Sequence, residues 1–194
     1  MTCFNHAFRA VGFPEQPAER IRKTVGMTLK EAVRCMAADM GEKNTDQFIT
    51  HFKDQADRIM AQNTVLYPGT KDILAGLKDE GFRTGIVTSK LRYRILDILR
   101  REDMTHQVDV IVGFDNVRNA KPDPEGLFMA MKTLTVTPDH TLYVGDSEID
   151  AQAAANAGIR FIGVLTGTTT ASDFEKYCPM AVLQGIQDLR RWIL

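Results

Sequence analysis

Tyr143-Val144-Gly145-Asp146-Ser147-Glu148-Ile149-Asp150 is the stretch on which the fold turns. Thr141 to Val144 reads as a short strand, Gly145 breaks it, and Glu148 to Ala157, stopped by Gly158, reads as a helix. A strand that passes through a glycine into a helix is the building unit of a parallel α/β layer. Ligand chemistry in such layers gathers at the carboxyl ends of the strands. Asp146 and Asp150 stand four apart and can face the same side. One or two carboxylates at a strand end suit a hard cation such as Mg²⁺, which takes oxygen ligands and keeps several waters. The same residues also read structurally, with Asp146 or Ser147 as an N-cap and Asp150 as a first-turn acid opposing the helix dipole.

Outward from this turn the alternation continues in both directions. Downstream, Phe161 to Leu165 predicts a strand and Ile186 to Trp192 a closing helix. Upstream, after Tyr67-Pro68-Gly69, the spacing predicts a helix over Thr70 to Lys78 with Gly81 as its stop and a strand over Thr84 to Thr88. A helix over Leu91 to Arg101, a strand over Val108 to Val112 and a helix over Pro124 to Thr133 follow. Before about Thr64 every periodic stretch is helical. Phe4, Ala7, Phe8 and Val11 share one face, as do Leu29, Ala32, Val33 and Met36 behind the capping-box pair Thr28 and Glu31. Phe48, Ile49, Phe52, Ala56, Ile59 and Met60 make a further stripe, and Glu19 to Thr24 is a weaker helix between Pro17 and Gly26. The expected organisation is therefore a helical region over 1–64 and an α/β region over 65–194.

At 194 residues the chain is long enough to bury a real core without a stapling device. Its 24 basic and 25 acidic residues give a net charge of -1, which argues against nucleic acid or an anionic membrane surface as partner. Cys3, Cys35 and Cys178 follow no motif spacing, so neither a disulfide framework nor a zinc site is expected. No run of eighteen apolar residues occurs and the first residues carry no apolar signal core, so no membrane span is expected. A reducing cytoplasm is the expected location.

Two further stretches could bind an anion. Ile86-Val87-Thr88-Ser89-Lys90 ends a strand in two hydroxyls and a lysine just before a helix, where free amides favour negative charge. Asn119-Ala120-Lys121-Pro122-Asp123-Pro124 holds a lysine in a stiff, proline-flanked loop ahead of a helix, and such a lysine can pair with a phosphate or a carboxylate. Taken singly, these read more readily as helix caps and a solvated lysine than as a binding site.

In order and spacing, Pro68-Gly69, Val87-Thr88-Ser89-Lys90, Lys121-Pro122 and Gly145-Asp146-Ser147 with Asp150 resemble the consecutive signatures of haloacid dehalogenase phosphatases, particularly phosphoglycolate phosphatases. The resemblance covers essentially the whole chain. It implies a Rossmann-like parallel core with a mobile helical cap over residues 1–64, and hydrolysis of a small phosphorylated metabolite with Mg²⁺. It also implies roles at matched positions. Thr88 would hydrogen-bond the transferring phosphoryl group, aided by the backbone at Ser89, and Lys121 would balance its negative charge. Asp146 would ligate Mg²⁺, and Asp150 would support that metal shell or the lysine. These roles suit phosphoryl transfer, where catalysis is mainly positioning and charge neutralisation. Ser89 departs from the asparagine that these phosphatases often carry.

The larger departure is the family's first motif, a strand leading into Asp-x-Asp-Gly-Thr that supplies the nucleophile. No Asp-x-Asp pair occurs anywhere in the sequence. Asp46 and Asp54 lie on predicted helices with solvated polar faces and do not replace it. The resemblance places the absent strand between those ending at Thr88 and at Gly145. A misplaced start or truncation, a fragment completed by another polypeptide, and a pseudoenzyme would each account for this, the first being favoured. The expectation is a chain inactive alone, with an apolar strand and Asp-x-Asp encoded upstream. The alternative is a non-catalytic phosphate- and metal-binding or regulatory protein, monomeric or homodimeric like the enzyme. A dinucleotide-binding oxidoreductase would want Gly-x-Gly-x-x-Gly, which is nowhere in the chain.

Overall fold

A computed structural model describes residues 2–193; Met1, Leu194 and the side chain of Met60, with its expected place on an apolar stripe, lie outside the described residues. The chain divides into two compact units, residues 1–64 and 65–194.

The first unit is helical: α1 (Thr2–Ala10), α2 (Ala18–Arg22), α3 (Leu29–Met36) and α4 (Glu42–Asn63). α3 begins where Thr28 and Glu31 satisfy each other's backbone amides in a capping box. The apolar stripes of α1 and α4 meet in a core of phenylalanines. Phe8 and Phe48 are fully buried with ring centroids 4.7 Å apart, and Phe4 stands edge-on to Phe52 at 4.9 Å. Edge-on and tilted rings of this kind add to the area they bury.

The second unit alternates as α5 (Thr70–Asp79), β1 (Gly85–Val87), α6 (Arg92–Arg101), β2 (Val110–Val112), α7 (Glu125–Leu134), β3 (Leu142–Gly145), α8 (Glu148–Ala157), β4 (Arg160–Val164), α9 (Ala171–Glu175), β5 (Ala181–Leu183) and α10 (Arg190–Ile193). The closing helix expected over Ile186 to Trp192 is instead a 3₁₀ turn, Ile186–Leu189, running into α10. α9 and β5 were not foreseen by the periodicity.

All strand pairs are parallel, but the strands form two sheets rather than one. β1 pairs with β2, with Val87 opposite Val112. β3, β4 and β5 form the other sheet, with Tyr143 opposite Phe161 and Val164 opposite Leu183. Among the described residues no strand lies between β1 and β3. The Thr88 amide donates to Val112 O at 3.0 Å. Backbone groups of consecutive strand residues point to opposite sides, so the Val87 carbonyl faces away from β2. It accepts instead from Lys121 Nζ and Tyr143 Oη, each at 3.3 Å. These two side chains link the sheets. α8 covers the three-stranded sheet with Ala151, Ala153, Ala154 and Ala157, small residues buried together with Phe161, Phe174 and, on α7, Leu127 and Met131. No helix among the described residues is long and apolar enough to cross a membrane.

Candidate active site

The end of β3 turns sharply because Gly145 has no side chain: a Cβ there would lie 2.4 Å from that of Asp150. Ser147 is the N-cap of α8, accepting from the Asp150 amide at 3.2 Å while its hydroxyl donates to Asp150 Oδ2 at 2.6 Å. Asp150 Oδ1 accepts from Lys121 Nζ at 2.6 Å and from Tyr143 Oη at 2.9 Å. The ion pair is largely removed from water, its side chains 13% and 8% exposed for Lys121 and Asp150. Burial pushes the Asp150 carboxyl up. The adjacent Lys121 ammonium and the hydrogen bonds from Lys121, Ser147 and Tyr143 outweigh it and hold the group below its ordinary range. Burial, then the charge of Asp150, pushes the Tyr143 phenol well above its ordinary range.

Asp146 is placed differently. Burial and the negative charge of Asp150 raise its pKa, with partial relief from its own amide and from Lys121 and Lys90. Gly167 packs directly on it, since a Cβ at Gly167 would sit 2.4 Å from Asp146 O. Unlike the carboxylate of Asp150, whose two oxygens are taken by Lys121, Tyr143 and Ser147, that of Asp146 receives no hydrogen bond or ion pair from another side chain among the described residues. A half-buried carboxylate short of positive charge is a fitting ligand for a hard cation, and among these residues Asp146 is the one that could hold such an ion. Asp150 instead holds the lysine. Among the described residues no three His, Cys, Asp or Glu side chains cluster as a ready cage.

Lys121 also reaches the end of β1. It lines one small recess with Val87, Thr88 and Ser89, closed on the β2 side by Gly113 and Phe114. Thr88 Oγ1 accepts from the Lys90 amide at 3.1 Å, which curls the loop and leaves its hydroxyl hydrogen for another acceptor. Asp115 Oδ1 accepts from the Arg92 amide at 2.7 Å and so already occupies one amide at the start of α6. The structure thus brings Thr88, Ser89 and Lys121 to one recess and Lys121, Asp146 and Asp150 to one charged cluster. Lys121 belongs to both.

Three contributing residues were not foreseen. Tyr143 stands two before Gly145, and strand alternation puts both on one face, so its place over Asp150 was legible from the spacing. Glu125 and Asn156 gave no such signal. Glu125 looks like a first-turn acid, yet its carboxylate accepts from the Arg118 and Asn119 amides. Asn156 Nδ2 donates to Pro122 O at 2.9 Å.

Residues 1–164 match the haloacid dehalogenase-like hydrolases. The chain belongs to this family. Among the family's phosphoglycolate phosphatases, that of Nitrosospira multiformis is 30% identical over 187 residues, covering 93% of this chain and 82% of the relative. That of Shigella boydii is 28% identical over 188 residues, 93% of this chain and 70% of the relative. A candidate haloacid dehalogenase-like hydrolase of Bacteroides fragilis superposes with a TM-score of 0.92 at 36% identity, covering 97% of this chain and 90% of its own.

Proposed function

We propose that these residues form the phosphoryl- and cation-binding part of a Mg²⁺-dependent phosphomonoester hydrolase acting on phosphoglycolate or a similarly small phosphorylated metabolite. The observation that carries this reading is the position of Lys121, which lines the Thr88–Ser89 recess while its ammonium bonds Val87 O beside that recess, pairs with Asp150 and acts on the charge of Asp146. The names borne by the relatives support the substrate class. The Thr88 hydroxyl donates to a phosphoryl oxygen entering the recess, Ser89 offers its backbone amide, and Lys121 balances the phosphoryl charge while Asp150 holds it in place. Asp146 would hold Mg²⁺, which when bound would supply further neutralisation of the phosphoryl charge. The reading takes the protein to be a monomer or homodimer of the cytoplasm.

With no Asp-x-Asp pair in the sequence, Asp150 paired to Lys121 and Asp146 assigned to the cation, no carboxylate among the described residues stands ready as nucleophile, and on this reading these residues by themselves bind without turnover. The same observation favours a second reading, a phosphate- and metal-binding protein with no catalytic role. The test measures Mg²⁺-dependent hydrolysis of para-nitrophenyl phosphate and phosphoglycolate by this chain and by a version extended upstream in frame, with binding of inorganic phosphate followed in parallel. Binding by both and turnover by the extended form alone is the expected result. Binding without turnover in either selects the second reading. Phosphate binding indifferent to Lys121→Met would overturn both.

A further inference from the structure

The proposed anion site depends on a lysine in a loop, and the structure shows what fixes that loop. Residues 118–124 cross from β2's side of the sheet to α7 with Lys121 near their middle. At the entrance, the Glu125 carboxylate accepts from the Arg118 amide at 3.0 Å and from the Asn119 amide at 2.9 Å, reaching back across the loop from the first residue of α7. At the exit, Asp123 Oδ1 accepts from the Glu125 amide at 2.9 Å. Within the loop the Asp123 amide donates to Ala120 O at 3.0 Å. The far side is tied to α8 through Asn156 and Pro122 O. α8 also carries Asp150, so one helix receives both the loop backbone and the lysine's ammonium.

An acid at the first position of a helix ordinarily favours its own helix dipole and leaves the preceding loop alone. Here both carboxylate oxygens are turned onto the loop: Arg118 N reaches the second oxygen too, at 3.2 Å. Backbone amides donating to an ionised carboxylate make strong, directional bonds. We infer that Glu125 is a positioning residue for Lys121, clasping the 118–124 loop so that the ammonium stands between Asp150 and the Thr88–Ser89 recess. This inference rests on the anion-site reading proposed above. Glu125 itself touches neither the phosphoryl group nor the cation; it acts through the loop.

The test is a double-mutant cycle on the 194-residue chain, with inorganic phosphate as probe and affinity read by ³¹P NMR titration. Glu125→Ala is expected to weaken phosphate binding about threefold to tenfold, the effect of roughly one net hydrogen bond. Glu125→Gln, which keeps one carbonyl acceptor, should recover about half of that loss on the same reasoning. In a Lys121→Met background Glu125→Ala should change nothing, because the side chain it positions is gone. Equal weakening in both backgrounds would make Glu125 a general structural residue and overturn the inference, as would unchanged affinity in Glu125→Ala. If Glu125→Ala does not fold, Glu125→Gln carries the same cycle, with about twofold weakening expected against none beside Lys121→Met. Wild-type chain that binds no phosphate, or binds it as well after Lys121→Met, refutes the anion-site reading first and this inference with it. Binding that responds to Lys121 and not to Glu125 refutes the inference alone.

Discussion

The two units bury different things. The helical unit closes over phenylalanine rings and aliphatic side chains, with Phe8, Phe48, Ala7 and Ala56 wholly removed from water. The α/β unit buries apolar side chains as well, but at the junction of its two sheets it also buries an ion pair and a phenol and half-buries a second carboxylate. Apolar packing answers to volume and is indifferent to pH, whereas a buried charge is stable only while its partner is present and ionised. The first kind of core holds a shape. The second can also do chemistry, and it gives up some robustness for that.

Optical signals separate the two. The single tryptophan and all four tyrosines, Tyr67, Tyr93, Tyr143 and Tyr177, lie beyond residue 64, so near-ultraviolet dichroism at tyrosine and tryptophan wavelengths reports the α/β unit alone. The largest effect is expected from Phe48→Ala, about 3–5 kcal/mol from lost packing and the cavity left behind. It should remove helical far-ultraviolet signal at lower temperature at every pH, and a pH-dependent loss would break the contrast. Lys121→Met should follow, costing the α/β unit about 3 kcal/mol because it leaves Asp150 buried without its cation. Pairing it with Asp150→Asn should recover much of the loss, and failure to recover would show that the ion pair is not what this junction depends on.

Acid sharpens the comparison further. Asp150 is held below its ordinary value of 3.8 in the fold, so its stabilising contribution is full above about pH 4 and is lost as pH falls through the lower folded value. The near-ultraviolet transition should therefore weaken in acid, and Asp150→Asn should flatten that dependence. Asp146 behaves oppositely. Its pKa is raised, so its ionised form costs stability once pH exceeds the folded value, and no such cost exists below about 3.8. Asp146→Asn should raise the thermal midpoint by about 2–4 °C at neutral pH, with no gain near pH 3. The same variant should abolish Mg²⁺ binding, and a gain in stability with Mg²⁺ binding intact would detach Asp146 from the metal.

Helices and strands were legible because their periods are local. The Thr28–Glu31 cap, α8 from Glu148 to Ala157 and the turn at Gly145 are all set by residues within a few positions of one another. α9 escaped because five residues are too few for a clear period, although the pair Thr170 and Asp173 that caps it was there to be read, and β5, Ala181-Val182-Leu183, lacks the β-branched run that marked the equally short β1 and β2. Within the site, residues at strand ends and before helices could be singled out, but not what they bond to. The sequence left Asp150 open between metal and lysine, and only the meeting of α8 with the 118–124 loop ties it to Lys121. Glu125 was unreadable for the same reason, its partners being amides that any residues could supply.

A sheet divided in its middle has four edges where an undivided one has two. Each edge carries a row of amides and carbonyls able to accept another strand, and among the described residues the inner edges of β1 and β3 are screened at Val87 by one lysine and one tyrosine. With a net charge of -1 there is little long-range repulsion to keep two copies apart. At millimolar concentration this chain is therefore a candidate for edge-to-edge polymerisation, and its solutions should turn viscous or cloudy well before its helical unit loosens.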